Sequence, residues 1–408
     1  METGYLASIL NGMASMFDAI TSPSDRQLIM VASLTRFLNC DSLLDLADTY
    51  EINKDSLYQA LDVVTPPRWL RRIMKAGRQR LTRHLRRWRA GDPSFRSRHS
   101  ITLCADDFTR TTRGDVGGWS GIFYSGAEGG VVTGLNIEVL CAVIGDGLEV
   151  IILDVRIVPP KPVGSGARPL SQNQWLRRAL RNLNCFLTTQ GIDLKGTTLA
   201  IDAAYVSKEN VALAKDLGIH MVSKLSANRK VTGNADGLFT GLVGQYAGLS
   251  LFLNHRNWRP LRGEDGVEYQ RNIAIVPSLD SQVLLVTFIR ERDFAVYFST
   301  NVNMKTITLR NITRYRWQLE RIFWILKQDI GIGDIHHHKE TRVEARIYLH
   351  VILAQVTRDT AAIFRCSPKD IVRSIRRTPD LVLHQLGFPS AFATALSPET
   401  VPQVRHAA

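Results

Sequence analysis

Residues 134–158 read GLNIEVLCAVIGDGLEVIILDVRIV. Two apolar, β-branched runs, 134–144 and 148–158, flank GlyAspGly at 145–147. The runs predict strands and the glycine-rich link predicts a tight turn, so the segment reads as a β-hairpin. Upstream, IleThrLeuCysAla (101–105) is a short apolar strand ending in Asp106 and Asp107. Downstream, a loop over 159–169 leads to a helix at about Ser171–Gln190. A strand over 197–205 ends at Asp202, a helix covers 207–218 up to a glycine stop, and a strand covers 220–225. Three hairpin-linked strands followed by helix–strand–helix–strand predict a mixed α/β domain.

The flanks differ in character. Residues 1 to about 65 look helical, and Ser42–Leu61 has a helix-turn-helix pattern: Leu43, Leu46 and Ala47 pack one helix, Ile52 fills the turn, and Leu57 and Leu61 hold a second helix capped by Asp55 or Ser56. After the break at Thr65–Pro67, residues 68–89 carry ten Lys or Arg and no acid. Such a helix repels itself, so phosphate contact through Arg71, Arg72, Lys75 and Arg78 is its expected use. Gly91–Ser94 ends the segment. Residues 229–300 hold short strand patterns at 249–253, 267–276, 282–288 and 294–299, with turns at 263–266 and 277–281. Helical periodicity returns at about Met304 and runs past Lys327. A last amphipathic helix covers 341–364, and the tail beyond Cys366 is weakly patterned. The division expected is 1–98, a helical region with the helix-turn-helix at 42–61 and the basic helix at 68–89; 99–228, a core; 229–300, a β-rich insertion; 301–365, the rest of the core; and 366–408, a tail.

A chain of 408 residues with 45% hydrophobic content predicts two or three domains. The formal charge of +13 points to a polyanionic partner, most often nucleic acid. No run of 18 or more apolar residues and no basic leader are present, so no membrane association is expected. Five scattered cysteines in apolar surroundings read as reduced core residues of an intracellular protein.

Residues Thr313–Lys327 read TRYRWQLERIFWILK. At helical spacing Arg316, Glu320 and Lys327 fall near one face, beside the apolar stripe Leu319, Ile322, Phe323 and Leu326. A carboxylate between two cations suits a metal ion flanked by phosphates; the plainer reading is a surface helix with an Arg–Glu pair. Asp107 and Asp202 stand where strands end, the usual ligand side of α/β sheets. Two Asp and one Glu suit Mg²⁺ or Mn²⁺, and two such ions roughly 4 Å apart serve in-line displacement at phosphorus. Asp106 is an alternative to Asp107, because its strand is apolar on both faces. Trp258 has two readings, stacking on an extruded base or burial in a β-domain. HisHisHisLys (336–339) reads as a polar loop, since three consecutive histidines cannot all face one ion.

These residues resemble the DDE transposases of bacterial insertion sequences. That family has a ribonuclease-H-like core, a β-rich insertion before the Glu and a Tyr-x2-Arg-x3-Glu-x6-Lys signature. Here Arg316-x3-Glu320-x6-Lys327 is in register, while Thr313 stands in place of Tyr, with Tyr315 nearby but out of register. AspAspPheThr (106–109) resembles the first-Asp motif, Asp-x-Thr, which selects Asp107. Residues 200–207 and 222–228 resemble the second-Asp strand and the next strand, and 298–301 the strand re-entering the core. The resemblance covers about 100–360. It implies a ribonuclease-H-like mixed-sheet catalytic core with a β-rich insertion and an all-α N-terminal DNA-binding region. It implies that Asp107, Asp202 and Glu320 coordinate Mg²⁺, with Mn²⁺ able to substitute, and that Arg316 and Lys327 contact phosphates at the transposon end. The implied activity is binding of transposon ends in double-stranded DNA, hydrolysis to a 3′-OH and transfer of that strand into target DNA. A homodimer on paired ends and a place in the bacterial cytoplasm beside the nucleoid follow from the same resemblance. The alternatives are a DNA-binding derivative that no longer cuts and a metal-dependent nuclease without strand transfer.

Overall fold

The structure is a computed structural model. It describes residues 2–18, 20, 22–95, 101–112, 115–125, 128–145, 149–160, 169–226, 229–233, 240–242, 261–262, 268–289, 294–332, 335, 337 and 339–388. The strand pattern at 249–253, Trp258, the turn at 263–266 and most of the 159–169 loop lie outside the described residues. By its contacts the chain divides into two compact units. One comprises Met1–Trp69, Thr112–Trp119 and Trp324–Ala408, the other Leu70–Thr111 and Ser120–Phe323.

The first unit is helical. From the start of the chain come α1 (Glu2–Phe17), α2 (Pro23–Ser33), α3 (Leu43–Thr49) and α4 (Lys54–Asp62). Ser42 and Asn53 cap α3 and α4, each side-chain oxygen accepting a backbone N–H at 3.0 Å. The cap of α4 is thus Asn53 rather than Asp55 or Ser56, and Ser56 supplies the donated N–H. Leu43, Leu46, Ala47, Leu57 and Leu61 are buried as the pattern requires. The helix expected at 341–364 runs Glu340–Phe364 but is buried nearly all round, Arg346, His350 and Arg358 included, and is not amphipathic. Gly12 of α1 lies so near it that a Cβ would come 2.7 Å from Val356 Cγ1. Two further helices, Pro368–Arg376 and Pro379–Gln385, stand where a weakly patterned tail was expected. The first opens on a Ser367–Asp370 capping box and buries Ile371, Val372 and Ile375. Of the three consecutive histidines, His337 is the one described. It is buried, its ring edge-on to Tyr58, rather than in a polar loop.

The second unit is built on one sheet. Its centre is β1 (Ile101–Thr111), β3 (Gly130–Ile144), β4 (Glu149–Ile157), β5 (Thr198–Ile201) and β6 (His220–Lys224). The order is β4–β3–β1–β5–β6; β3 runs antiparallel to β1 and β4, while β5 is parallel to β1 and to β6. The hairpin read at 134–158 is β3–β4. A short strand unmarked in the sequence reading, β2 (Gly121–Ser125), pairs with the first part of β3. The strands of the 229–300 region continue the same sheet. Antiparallel to β6 comes β12 (Phe294–Ser299), then β11 (Ser281–Ile289) and β10 (Glu268–Val276), with β7 (Lys230–Gly233) and β8 (Thr240–Leu242) beyond and β9 (Leu261–Arg262) beside β10.

One face of the sheet carries α6 (Gln172–Thr189), α7 (Lys208–Asp216) and most of the basic helix α5 (Pro66–Arg89). Leu81 and Leu85 of α5, Trp175, Leu176 and Leu180 of α6, and Ala214 of α7 form one core with Ile101, Leu103 and Ala105 of β1 and Leu199 and Ile201 of β5. Ser171 caps α6 with a reciprocal bond to Gln174. By strand alternation Thr102, Cys104, Asp106 and Phe108 point the other way. On that side the Phe108 ring meets Phe323 of α8 (Thr306–Trp324), centroids 4.6 Å apart. Cys40, Cys104 and Cys141 are buried, but Cys185 is exposed and Cys366 half-buried, so the cysteines are not all core residues. Among the described residues no helix is long and apolar enough to cross a membrane.

Candidate active site

β1 runs on to Thr111, past the aspartates at which it was expected to end. Asp106 and Asp107 therefore lie inside the strand, opposite Val139 and Glu138 of β3. On its other side β1 pairs with β5 only as far as Ala105–Ile201. The two aspartates sit where β1 has lost its parallel neighbour, and Asp202 is the first residue beyond that neighbour. Strand termination thus opens the space and delivers three carboxylates to it.

Asp107 follows Ala105 on the face that carries α6. Its Oδ1 accepts from Gln172 Nε2 at 2.7 Å, at the first turn of α6, and its Oδ2 from Asn136 Nδ2 at 2.8 Å. Burial raises its pKa, the Asn136 bond opposes that, and the negative charge of Asp202 adds to the rise. Beyond it Glu138 is held by Arg156, at 2.7 Å and 2.9 Å to its two oxygens, and burial pushes Glu138 up to about 7. The Arg156 guanidinium lies over the Trp175 ring, 5.8 Å from its centroid.

Asp106 faces α8. Its Oδ2 accepts from Arg316 Nη1, and its Oδ1 from the Asp107 backbone N–H at 3.0 Å. Burial takes its pKa up to about 7 despite the arginine. The second nitrogen of the fork, Arg316 Nη2, is 3.0 Å from Glu320 Oε1, one helical turn on. Burial works against the Arg316 charge, but Asp106, Glu320 and Asp202 outweigh it and raise its pKa.

Asp202 acts through space on Asp106, Asp107 and Arg316. The structure thus brings the carboxylates of β1, β5 and α8 to one end of the sheet. Among the described residues, however, no three His, Cys, Asp or Glu side chains stand together as ligands of one ion. The set Asp107, Asp202 and Glu320 is not drawn into a single cluster, because like charges repel and Glu320 lies on Arg316. The donor chemistry still fits Mg²⁺ or Mn²⁺. The groups are carboxylates, and a divalent cation would relieve the repulsion between Asp107 and Asp202.

The cationic residues fall in different places. Arg71, Lys75 and Arg83 lie exposed on the outer face of α5, and Arg72 is half-buried. Arg78 is turned inward, 3.7 Å from Asp154 of β4, and burial lowers its pKa. It sits on the sheet-facing side of the helix, beside Gly77, and not with the exposed cations of the outer face. Lys327 falls in a π-helical turn, Ile325–Asp329, within the first unit. The Thr313 hydroxyl is spent on the Arg310 carbonyl at 2.7 Å. Sequence reasoning missed Gln172 and Asn136, whose roles appear only when α6 and β3 are set against β1. It also missed Trp317, which is 61% exposed on α8 in a stripe with Arg310, Arg314 and Arg321. The spacing 310, 314, 317, 321 is the available signal.

The helix-turn-helix segment has the wrong charge for a phosphate surface. From Ser42 to Asp62 it carries Asp45, Asp48, Glu51, Asp55 and Asp62 against Lys54 alone. Asp62 is engaged by Lys339 at 3.0 Å and Arg342 at 2.8 Å.

Residues 173–356 match the family model described as the transposase DDE domain. The matched span takes in Asp202, Arg316, Glu320 and Lys327, and begins one residue after Gln172. No curated protein matches the chain. Over that span, a little under half of its length, the chain is similar to the transposase DDE domain.

Proposed function

We propose that the protein is a DNA transposase that cleaves transposon ends to a 3′-OH and joins that strand to target DNA by divalent-metal catalysis. The observation that carries this reading is that Arg316, on the helix bearing the Arg-x3-Glu part of the signature, engages both Glu320 and Asp106 of β1 at the open end of β5. The strand order β4–β3–β1–β5–β6, with β3 alone reversed, supports a ribonuclease-H-like core.

In this reading Asp107, Asp202 and Glu320 hold Mg²⁺ or Mn²⁺, probed as a pair of ions. Bound there, the metal supplies charge to stabilise the attacking and leaving oxygens at phosphorus. Gln172 and Asn136 fix the plane of the Asp107 carboxylate, so that it is oriented before substrate arrives. Arg316 steadies Glu320. The exposed faces of α5 (Arg71, Lys75, Arg83) and α8 (Arg314, Trp317, Arg321), with the half-buried Arg310 beside the latter, take the DNA backbone, and the acidic α3–α4 hairpin does not. Lys327 is assigned to phosphate at the transposon end, as its place in the signature suggests. Two copies would act on paired ends.

The test is incubation with labelled duplexes carrying the flanking ends of the element, in Mg²⁺ and in Mn²⁺, beside Glu320→Gln. Metal-dependent nicking at the boundary by the parent protein alone is expected. Salt-sensitive binding without nicking by either protein would replace this reading with that of a non-cleaving DNA-binding derivative. Nicking without joining of a supplied 3′-OH end would leave a nuclease.

A further inference from the structure

We propose that the two adjacent aspartates divide the work: Asp107 meets the metal, while Asp106 is a positioning residue that anchors Arg316 and, through it, Glu320. The metal half of this inference rests on the proposed function; the anchoring half does not.

Neighbouring residues on a strand point to opposite faces, so Asp106 and Asp107 cannot play the same part. Asp106 is 9% exposed and both of its oxygens are taken within the chain, Oδ1 by the Asp107 N–H at 3.0 Å and Oδ2 by Arg316. Its charge is met by a guanidinium, which leaves little for a cation. Asp107 is less buried, and its oxygens are held by two amides, Gln172 at 2.7 Å and Asn136 at 2.8 Å. Amides donate hydrogen bonds but bring no positive charge. Asp107 is therefore oriented by neutral groups, and the cation that acts on it, Arg156, does so through space while engaged with Glu138, which leaves the carboxylate open to a metal ion.

The fork of Arg316 makes the link to α8. One nitrogen is fixed by β1, so the other is fixed in space, and Glu320 takes it at 3.0 Å. Asp106 and Arg316 are 210 positions apart in the chain, so this contact ties the first strand of the core to the late helix. Without Asp106 the Arg316 side chain, already 24% exposed, turns outward and Glu320 loses its fixed partner.

The experiment uses the full chain, with Mn²⁺ alone as the probe, followed by electron paramagnetic resonance. Asp107→Asn is expected to weaken Mn²⁺ binding by about tenfold or more, while Asp106→Asn, which keeps all three proposed ligands and loosens only Glu320, weakens it by about threefold or less. Asp106→Asn and Arg316→Gln each lower the melting temperature and the nicking rate, and the double variant is no worse than the worse single one, because the pair is broken once. A loss of Mn²⁺ binding of about tenfold or more in Asp106→Asn overturns the assignment, whether or not Asp107→Asn shows the same loss. A parent protein that binds no Mn²⁺ removes the metal reading itself. The anchoring half then stands on the melting temperatures, and additive losses in the double variant overturn it.

Discussion

Gly77 sits in the middle of α5, where helix propensity alone favours Ala over Gly by about 1 kcal/mol. The packing predicts the opposite sign. A Cβ at position 77 would stand 1.9 Å from the Ile152 carbonyl oxygen, against about 3.4 Å for an ordinary contact. The helix would have to lift from β4 by the difference, 3.4 − 1.9, or about 1.5 Å. That displacement draws Leu81 and Leu85 away from a core in which both are fully buried. Overpacking costs roughly 1–3 kcal/mol, and a clash this deep into backbone belongs at the upper end, about 2–3 kcal/mol, so Gly77→Ala should lose about 1–2 kcal/mol net of propensity. For a unit of this size that is a fall of about 2–8 °C in Tm. The comparison is with Gln79→Ala, an exposed position on the same helix that meets no backbone. Scanning calorimetry of both variants beside the parent reads the result. A Gly77→Ala protein that melts at or above the parent would show that α5 does not lie on β4 as described, and the inward placement of Arg78 would fall with it.

The same helix gives an acid-stability prediction through Glu149. Burial pushes the Glu149 pKa up, but His84 at 3.0 Å and Arg80 at 2.9 Å outweigh it and bring it down to about 2, from 4.5. A depressed carboxylate contributes stability that is present above pH 4.5 and lost as pH falls towards 2, so the gap between the parent and Glu149→Gln should be largest near neutrality and close over that window. With the side chain 31% exposed, about 2 kcal/mol is expected at pH 7; a gap that stays constant down to pH 2 would contradict the pairing. On DNA, Lys75→Ala or Arg83→Ala should each lower the slope of log affinity against log salt by about 1, in a mobility-shift titration at several salt concentrations. Asp55→Asn in α4 should leave that slope unchanged, and a marked gain in affinity from it would place α4 at the DNA.

Much of the sheet was legible because its strands are long apolar runs separated by turn residues. The β3–β4 hairpin, α6 and the α8 signature needed nothing beyond local pattern. β2 was not, since its five residues leave Ile122 and Tyr124 exposed and so bury too little to mark a strand. The helix at Pro368–Arg376 spans only nine residues, too few for periodicity to stand out. The end of β1 was misplaced for a different reason. Asp106 and Asp107 interrupt the apolar run, but backbone pairing with β3 continues to Thr111 regardless of side chain. Alternation could not choose between the aspartates in an all-apolar strand. It could once Ile101, Leu103 and Ala105 were seen to share the helix-covered face.

The basic helix α5 shows why charge composition alone misjudges a segment. Ten cations without an acid cannot lie on a sheet unless acids come from elsewhere, and here they do. Asp154 and Glu149 of β4 meet Arg78 and Arg80, Asp193 meets Arg89, and Asp92 meets Arg87. Four of the ten cations are thus met by the fold's own acids. Lys75 and Arg83, exposed on the outer face, are carried on a helix that those pairs hold to the sheet. The Arg316 fork follows the same logic at the site: a cation that sequence spacing assigns to phosphate is first engaged by two of the chain's own carboxylates. A phosphate reaching Arg316 must compete with Asp106 and Glu320. Weakening that competition through Asp106 therefore bears on the geometry of Glu320 as well as on the arginine itself.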